Sequence, residues 1–305
     1  MSLAYSILAH KSPVQVERLF RAVYHPDDCF VLHFDRRAEA GLHQLGRKLA
    51  REYSNVCVLP SRAILWGGPM IGDVQIAAMQ RALDLSSQWS HFINLTGQDF
   101  PIKSREEILR KLSPLHGTSF VSWFDPLASP LWKNARARLD RYHLAYPWLA
   151  RLLQLPGVGR RVRHLFGWDN QLPYVPFYRR KWPAFFRYYG GAHHVILNRE
   201  TCAYMNADAR AHRIRRWLRH AGIADEIIFQ TVLLNSPLAP TLVNEHFREI
   251  VFPASDSPHP MTLTEKDLPR LFASRAFFAR KFEPVKSDGV VDALEKKIRM
   301  HEAPI

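Results

Sequence analysis

Short apolar runs alternate with segments of helical periodicity over the first hundred residues, and this alternation limits the folds open to the chain. The apolar runs are residues 5–8, 29–34, 56–59 and 91–95. Between them, apolar side chains recur at the three- and four-residue intervals of one helix face. Strands that alternate with helices form open, mostly parallel sheets, and ligands bind beyond the carboxyl ends of such strands. The sequence therefore predicts an α/β fold with its functional site at one edge of the sheet.

Capping signals and later apolar runs extend this pattern. Ser12 with Pro13 and Gln15, and Ser104 with Glu107, have the spacing of a capping box. Further elements are expected as strands at 118–124 and 195–197, and as helices after Asn198, from Asp225 to Asn235 and over 290–299. We expect irregular structure over residues 125–187 and a loop-rich stretch over 240–275.

Most of the positive charge is local. The chain has 42 basic and 28 acidic residues, a net charge of +14, and residues 125–187 hold 12 Lys and Arg against three Asp. Within this stretch, residues 146–168 mix aromatic and apolar side chains with arginines, which is typical of a segment at a membrane interface. A folded lid over an acceptor cleft is the other interpretation. Nucleic acid is a further anionic partner, but no helix-turn-helix, RNP or zinc-finger pattern is present.

Other classes of protein are excluded by simple patterns. Cys29, Cys57 and Cys202 form an odd, scattered set, which argues against a disulfide framework or a zinc site. The uncharged run at 227–244 contains two prolines and does not resemble a membrane-spanning helix. The N-terminus lacks the basic region and cleavage site of a signal peptide, so we expect a cytoplasmic protein. Neither GxxxxGK[ST] nor HExxH occurs.

Five segments stand where strands are expected to end or helices to begin. They are 33–37 (HFDRR), 65–68 (LWGG), 94–101 (NLTGQDFP), 224–226 (ADE) and 277–282 (FFARKF). Each has a structural explanation when taken singly, because Asp35 can end a strand and Asp225 can cap a helix. Likewise, Arg280 and Lys281 can form a solvated surface pair.

Taken together and in order, the five segments resemble glycosyltransferase family fourteen. This family contains the core-2/I-branching β-1,6-N-acetylglucosaminyltransferases and the peptide O-xylosyltransferases. INLTGQDFPIKS is similar to the branching enzymes, SRAFFARKFEPV to the xylosyltransferases, and HFDRRA and ADEIIFQTVLLNSP to both. The likeness runs from Tyr5 to about Glu295, and we expect a bacterial-type member of the family. It implies a GT-A-like, Rossmann-like sheet flanked by helices, in a single domain with an irregular basic and aromatic insertion.

The resemblance also implies roles for matching positions. Asp35 and Arg37 match residues that hold the uridine of a UDP-sugar, Glu226 matches the general base, and Arg280 with Lys281 matches the basic pair at the diphosphate. Further donor or acceptor contacts are expected from Trp66, Gly67, Gly68, Gln98, Asp99, His193 and His194. Relatives usually carry an aromatic residue where His194 stands. The single domain, 1–305, is thus divided into a nucleotide-binding half (1–124), the insertion (125–187) and an acceptor and catalytic half with the diphosphate-binding segment (188–305).

The chemistry of inverting sugar transfer agrees with these roles. A carboxylate must take the proton of the acceptor hydroxyl, and positive charge must stabilise the leaving diphosphate. Many GT-A enzymes hold a metal ion on a DxD motif, but no Asp here stands two positions from another. Arginine and lysine side chains can bind the diphosphate and neutralise its charge directly, so we expect neither a metal nor a cofactor.

The substrates stay open at this point. UDP-GlcNAc is the first expectation for the donor and UDP-xylose is the alternative. The acceptor is expected to be a hydroxyl of a glycan, glycolipid, polysaccharide or lipid-linked glycan. Peripheral contact with the inner face of an anionic membrane is expected to accompany a cytoplasmic location. The alternative of another class is a basic nucleic-acid-binding protein.

Overall fold

The computed structural model describes residues 1–65, 67–130, 132, 135–153, 155, 157, 159–166, 173–253 and 259–302. Its strands are β1 Ser2–Ala9, β2 Cys29–Phe34, β3 Val56–Val58, β4 Trp89–Thr96, β5 Phe100–Pro101, β6 Ser119–Val121, β7 Arg141–His143, β8 Tyr174–Arg179, β9 Val195–Asn198, β10 Leu242–Val243, β11 Arg248–Ile250 and β12 Phe278–Arg280. Its α-helices are α1 Pro13–Val23, α2 Ala40–Glu52, α3 Met70–Leu85, α4 Arg105–Leu112, α5 Ala135–Asp140, α6 Pro147–Leu152, α7 Gly159–Phe166, α8 Arg199–Ala207, α9 Ala209–Leu218, α10 Ile228–Leu234, α11 Leu268–Ala273 and α12 Asp288–Glu302. Short 3-10 helices are Ser113–Leu115, Ala224–Glu226, Ala239–Thr241 and Glu265–Asp267.

A seven-stranded mixed sheet forms the centre of the molecule, in the order β10-β6-β9-β4-β1-β2-β3. The pairs β1–β2, β1–β4, β2–β3 and β6–β10 are parallel, whereas β9 is antiparallel to both β4 and β6. Helices lie in the crossovers between the parallel strands β1, β2, β3 and β4, as parallel connections require. The predicted fold class, a GT-A-like α/β domain with a mostly parallel sheet flanked by helices, is confirmed.

Both faces of the sheet are covered. All eight residues of β1 are buried, which explains why its sequence is a nearly continuous apolar run. Leu3, Tyr5 and Ile7 pack in a cluster with α1 and α2, whereas Ala4 belongs to a second cluster with α3. This alternation follows from the two-residue period of a strand. Among the described residues, no helix is both long and apolar enough to span a bilayer.

The carboxyl ends of β2, β1 and β4 lie side by side at one edge of the sheet. The Asp35 amide donates to the Ala9 carbonyl (3.0 Å), and the Gly97 amide donates to the Leu8 carbonyl (2.9 Å). Because neighbouring strands are spaced by ~4.8 Å, the ends of β2 and β4 are ~10 Å apart across β1. This edge is where α/β folds bind ligands.

A three-stranded sheet, β11-β12-β5, brings the C-terminal part of the chain to the same edge. The Phe282 amide donates to the Gln98 carbonyl (2.9 Å) in the loop after β4. The buried Gln15 side chain donates to the carbonyls of both Gly97 (3.1 Å) and Phe282 (2.9 Å). Residues 280–283 are thereby fixed beside the loop that follows β4.

The insertion, residues 125–187, contains α5, α6, α7 and an antiparallel pair of strands, β7 and β8. Phe124 and Gly190 exchange backbone hydrogen bonds of 2.8 and 3.0 Å, so the two ends of the insertion are held together. Inside it, the Asp140 carbonyl accepts from the Arg180 amide (2.6 Å), and the Asp140 carboxylate pairs with Arg179 (2.6 Å). The prediction of irregular structure is wrong for the described part, because helices this short leave little periodicity in the sequence.

The predicted capping signals have different outcomes. The capping box of Ser104 and Glu107 is present at the start of α4. The predicted helix start is confirmed, since α1 begins at Pro13 with Ser12 at the N-cap position, but the Ser12 side chain makes no cap hydrogen bond and the predicted capping box is therefore wrong. The backbone of Ser12 is left-handed (φ 63°), and the Gln15 amide is engaged at the sheet edge instead.

Residues 240–275 are loop-rich as expected, since the described part contains only short elements, among them β10, β11 and α11. Two other predicted boundaries are corrected. The strand expected over 118–124 is confined to β6, after which Phe124 pairs with Gly190 as an isolated bridge. The helix expected from Asp225 to Asn235 is divided into the 3-10 helix Ala224–Glu226 and α10.

Candidate active site

Asp35 follows β2 at the carboxyl edge of the sheet. Its carboxylate accepts hydrogen bonds from the Arg37 amide (2.7 Å), the Arg37 Nε (3.2 Å) and the Ile64 amide (2.8 Å). The Arg37 guanidinium also donates to the Ile64 carbonyl. Burial raises the pKa of Asp35, but the hydrogen bonds from Arg37 and Ile64 outweigh it, and the pKa lies below its ordinary value. An ionised carboxylate and a half-exposed guanidinium therefore stand together at this edge.

The segment that follows β3 connects Asp35 with Glu226. Ile64 binds the Asp35 carboxylate, and three residues later the Gly67 carbonyl accepts from the Ala224 amide (3.3 Å). Gly67 has a φ of 73°, a conformation that residues with a side chain rarely adopt. The segment thus reaches from Asp35 to the 3-10 helix that carries Glu226.

Two more residues of this segment are expected to contact donor or acceptor. Gly68 turns the chain ahead of α3, and its amide donates to the Leu65 carbonyl (3.0 Å). Trp66 lies outside the described residues. The part of the segment that the structure describes places Gly67 and Gly68 next to the helix of Glu226.

Glu226 ends the 3-10 helix Ala224–Glu226 and is partly exposed. Burial raises the pKa of its carboxyl, and the opposing effects of the Arg138 charge and a Trp132 hydrogen bond are smaller. The Arg138 guanidinium packs over the Trp132 ring at 5.0 Å. A carboxylate with a raised pKa is a stronger base, which suits removal of a hydroxyl proton.

Asp225 precedes Glu226 and has a different environment. Its side chain is buried, and one carboxylate oxygen has no hydrogen-bond partner among the described residues. Burial, followed by the charge of Glu226, raises the pKa of Asp225 to about 7. The N-cap of the 3-10 helix is Ile223, so the capping role considered for Asp225 is wrong. Of the two neighbouring carboxyl groups, Glu226 is the one that is accessible.

The segment Gly190–His194 connects Glu226 with Arg280. The Gly191 amide donates to the Glu226 carbonyl (2.8 Å), and His194 Nε2 lies 2.9 Å from Arg280 Nη1. One short segment therefore contacts the Glu226 backbone at Gly191 and the Arg280 side chain at His194. A Cβ added to Gly191 would lie 1.9 Å from the Ser122 carbonyl oxygen, so only glycine fits at this position.

Arg280 is held at one corner of its guanidinium. Nη1 contacts Thr96 Oγ1 (3.3 Å), Asp99 Oδ1 (3.2 Å) and His194 Nε2 (2.9 Å). The Asp99 carboxylate is fully buried and also accepts from the Thr96 amide (2.6 Å). Asp99 therefore orients the Arg280 guanidinium from a fixed, buried position.

Lys281 has a different carboxylate partner. Its Nζ lies 3.2 Å from Glu283 Oε1, and Lys11 Nζ lies 3.5 Å from the same oxygen. Gln98 Nε2 is 3.5 Å from Glu283 Oε1, and Thr262 Oγ1 is 3.1 Å from Oε2. Two lysines and two neutral donors thus surround one carboxylate beside Arg280.

The two histidines ahead of β9 are neutral. Their rings lie 3.9 Å apart, centroid to centroid. Burial, followed by the charge of Arg280, lowers the pKa of His193 to about 3, and burial also lowers the pKa of His194 well below its ordinary value. A neutral His194 can accept from Arg280, which gives a physical role to the position where the family resemblance predicts an aromatic residue. Arg248, buried nearby, donates to the Asn94 carbonyl (2.9 Å) and packs over Phe278.

Four residues of this site were not singled out from the sequence: Lys11, Arg138, Arg248 and Glu283. Lys11, Arg138 and Arg248 contact residues far away along the chain and lie in none of the motifs quoted above. Glu283 lies inside the quoted segment SRAFFARKFEPV, two positions after Lys281, and this was the signal that could have found it. Among the described residues, no group of three or more His, Cys, Asp or Glu is arranged to hold a metal ion.

The arrangement contains the groups that transfer from a nucleotide sugar requires. A carboxylate of raised pKa, two cationic side chains and the Asp35–Arg37 pair surround one edge of the sheet, and short backbone segments connect them. Cations adjacent to the cleft can stabilise a leaving phosphate.

Comparison with known proteins agrees with this chemistry. The family model described as Core-2/I-branching enzyme matches residues 3–272. The chain is 27% identical to a xylosyltransferase of Ciona intestinalis over 316 residues, 97% of this chain and 34% of that protein. It is 27% identical to human xylosyltransferase 1 over 317 residues, with 96% and 30% covered. The chain spans about a third of the length of the curated relatives it matches.

Among solved structures, the galactosyltransferase LgtC in complex with donor and acceptor sugar analogs is similar at 11% identity and a TM-score of 0.38. That match covers 97% of this chain and 96% of the other, and a score this low carries no argument about function. The family model, in contrast, covers most of the chain. The resemblance found in the sequence is confirmed, and the chain belongs to the Core-2/I-branching enzyme family.

Proposed function

We propose that this protein is an inverting glycosyltransferase that moves a sugar from a UDP-sugar to a hydroxyl of a glycan, glycolipid or polysaccharide. The observation that carries the proposal is that one short segment, Gly190–His194, contacts both the Glu226 backbone and the Arg280 side chain. A base and a diphosphate-binding cation on either side of one sugar ring are what a single in-line displacement requires. Membership in an enzyme family favours this function over the nucleic-acid-binding alternative.

The reaction follows from the positions of these groups. Glu226 takes the proton of the acceptor hydroxyl as the oxygen attacks the anomeric carbon. The bond to the diphosphate breaks on the opposite side, and Arg280 and Lys281 stabilise the negative charge that leaves. Asp35 and Arg37 hold the uridine, because a carboxylate can accept from a base N–H or a ribose hydroxyl. Gln98, His193 and the Gly67–Gly68 turn remain candidates for contact with the sugars.

The relatives bear on the donor. Both named relatives are xylosyltransferases, which favours UDP-xylose over UDP-GlcNAc, the first expectation from the sequence. The two donors differ in the substituents at C2 and C5 of the sugar, so a direct competition between them decides the question. We propose that neither transfer needs a metal ion, because basic side chains stand where the diphosphate is expected.

A donor panel tests the function. The purified protein is given UDP-xylose, UDP-GlcNAc and UDP-glucose with a mixture of hydroxyl acceptors, and UDP release is measured with excess EDTA or with Mn²⁺. We expect UDP release with one donor in EDTA. Release that requires Mn²⁺ would refute the proposed role of Arg280 and Lys281, and no UDP release with any donor would refute the transferase.

The insertion supports a second part of the proposal, contact with an anionic membrane. Large apolar side chains exposed on α6, α7 and β8 and near them are Tyr146, Trp148, Leu152, Leu155, Leu165, Phe166, Phe177 and Tyr178. Phe177 is fully exposed, and with Leu165 it lines a groove that also contains Arg141 and Arg179. Apolar side chains with neighbouring arginines suit the boundary between lipid headgroups and acyl chains. A lipid-linked acceptor would then reach the cleft from the bilayer.

Cosedimentation with liposomes distinguishes this surface from a lid. Binding to phosphatidylserine vesicles should be strong at low salt, fall steeply with added salt and be weak on phosphatidylcholine. Phe177→Ser should reduce binding, whereas Phe252→Ser, at another exposed phenylalanine outside the insertion, should not. Absence of binding to anionic vesicles at low salt would leave the lid as the interpretation of the insertion.

A further inference from the structure

The carboxylate of Glu283 lies where cationic and neutral donors converge. Oε1 is 3.2 Å from Lys281 Nζ, 3.5 Å from Lys11 Nζ and 3.5 Å from Gln98 Nε2, and Oε2 is 3.1 Å from Thr262 Oγ1. These donors come from four separate parts of the chain: the end of β1, the loop after β4, the stretch before Glu265–Asp267 and the end of β12. Together they form a cradle for an anionic oxygen.

The charges around this cradle suit a second, larger anion. Lys11, Lys281 and Arg280 bring three positive charges, and the buried Arg248 adds a fourth. The carboxylates of Glu283 and Asp99 supply the negative charges that pair with them. The surplus of two positive charges equals the charge of an ionised diphosphate diester.

The two carboxylates differ in how firmly they are held. Asp99 is fully buried and also accepts from the Thr96 amide, so it stays in place with Arg280. The Glu283 side chain is about a quarter exposed (23%), as is that of Lys281 (21%), and Lys11 is more exposed (40%). The Lys281–Glu283 pair can therefore open without unpacking the core, and Lys11 can retain Glu283 when it does.

We propose that Glu283 is an internal counter-anion of the diphosphate site: it pairs with Lys281 in the free protein and is exchanged for the donor diphosphate, with Lys11 keeping its carboxylate afterwards. This inference rests on the proposed function. Glu283 competes with the ligand for Lys281, so it weakens donor binding while it keeps Lys281 directed into the cleft. Lys11 is a positioning residue, because it acts through Glu283.

Calorimetric titration with uridine and UDP tests this exchange. Relative to the wild type, Glu283→Gln should bind UDP ~2–5-fold more tightly and Lys11→Met ~2–5-fold more weakly, the range of a partly exposed charge pair. Uridine lacks phosphate, so its affinity should be unchanged in both variants. A general structural disturbance would change the binding of uridine and UDP alike.

The pair Glu17 and Lys48 provides the matched control, because it joins α1 to α2 at 3.2 Å on the surface. Glu17→Gln and Lys48→Met should leave both affinities at the wild-type value. If Glu283→Gln binds UDP no more tightly than the wild type, the counter-anion is refuted while the transferase stands. If the folded wild type binds no UDP at all, the proposed function fails, and this inference fails with it.

Discussion

Replacement of Glu226 by Gln removes the proposed base while keeping the size of the side chain. Positioned proton transfer contributes typically 10²–10⁴-fold to a rate, roughly 3–5 kcal/mol, and we expect turnover of Glu226→Gln to fall by a factor in this range. Donor binding should persist, because Arg280 and Lys281 reach the cleft from other parts of the chain. The measurement is UDP release at saturating donor and acceptor, with UDP affinity determined separately by calorimetry.

The pH dependence gives this prediction a second, independent readout. Burial raises the pKa of Glu226, so the base form is lost as the pH falls through that raised value. Turnover of the wild type should decline on the acid side, and the residual turnover of Glu226→Gln should lack this decline. The control is Glu200→Gln, an exposed carboxylate in the first turn of α8. Wild-type turnover in Glu226→Gln would refute the assignment of the base.

Three other substitutions probe the rest of the site. Asp35→Ala removes the acceptor of the Arg37 and Ile64 hydrogen bonds, and we expect it to raise the donor KM more than it lowers kcat; unchanged donor affinity would contradict a role at the uridine. Lys281→Ala should weaken UDP binding and slow turnover in EDTA, and equal UDP affinity with the wild type would argue for a surface pair. Asp225→Asn should raise the melting temperature more at pH 8 than at pH 5. In the folded protein the pKa of Asp225 is raised from its ordinary value of 3.8 to about 7, so the stability that its protonated form contributes is complete below pH 3.8 and is lost as the pH rises through about 7. A melting temperature that does not differ from the wild type at pH 8 would count against a raised pKa of the buried Asp225.

The sequence predicted the elements whose signals are local. The runs that became β1, β2 and β4 are buried on both faces, and such strands are visible as apolar runs without any knowledge of their partners. The capping box of Ser104 was equally readable, because both of its hydrogen bonds lie within four residues. The cap at Ser12 failed because the sequence does not show that Gln15 is drawn to Gly97 and Phe282.

The candidate site was predicted only where motifs were continuous in sequence. Arg280 and Lys281 came from one such motif, but their partners Asp99 and Glu283 were not assigned to them, since each pairing depends on the fold or on the geometry of a turn. Arg138 reaches Glu226 from a region without periodicity, and no pattern in the chain indicates that approach.

The paired strands β7 and β8 have a practical consequence for engineering the insertion. Asp140, which precedes β7, binds the Arg180 amide and the Arg179 side chain at the end of β8. The first and last residues of the stretch 141–179 are therefore close together. Arg138 and Trp132, which tune Glu226, lie before this point. Since the entropic cost of closing a loop grows only slowly with its length, this stretch can be exchanged between relatives if β7 keeps its contacts with His220. We expect a chimaera built at Asp140 and Arg180 to keep the donor of its scaffold, because Asp35, Arg280 and Lys281 all lie outside the exchanged stretch.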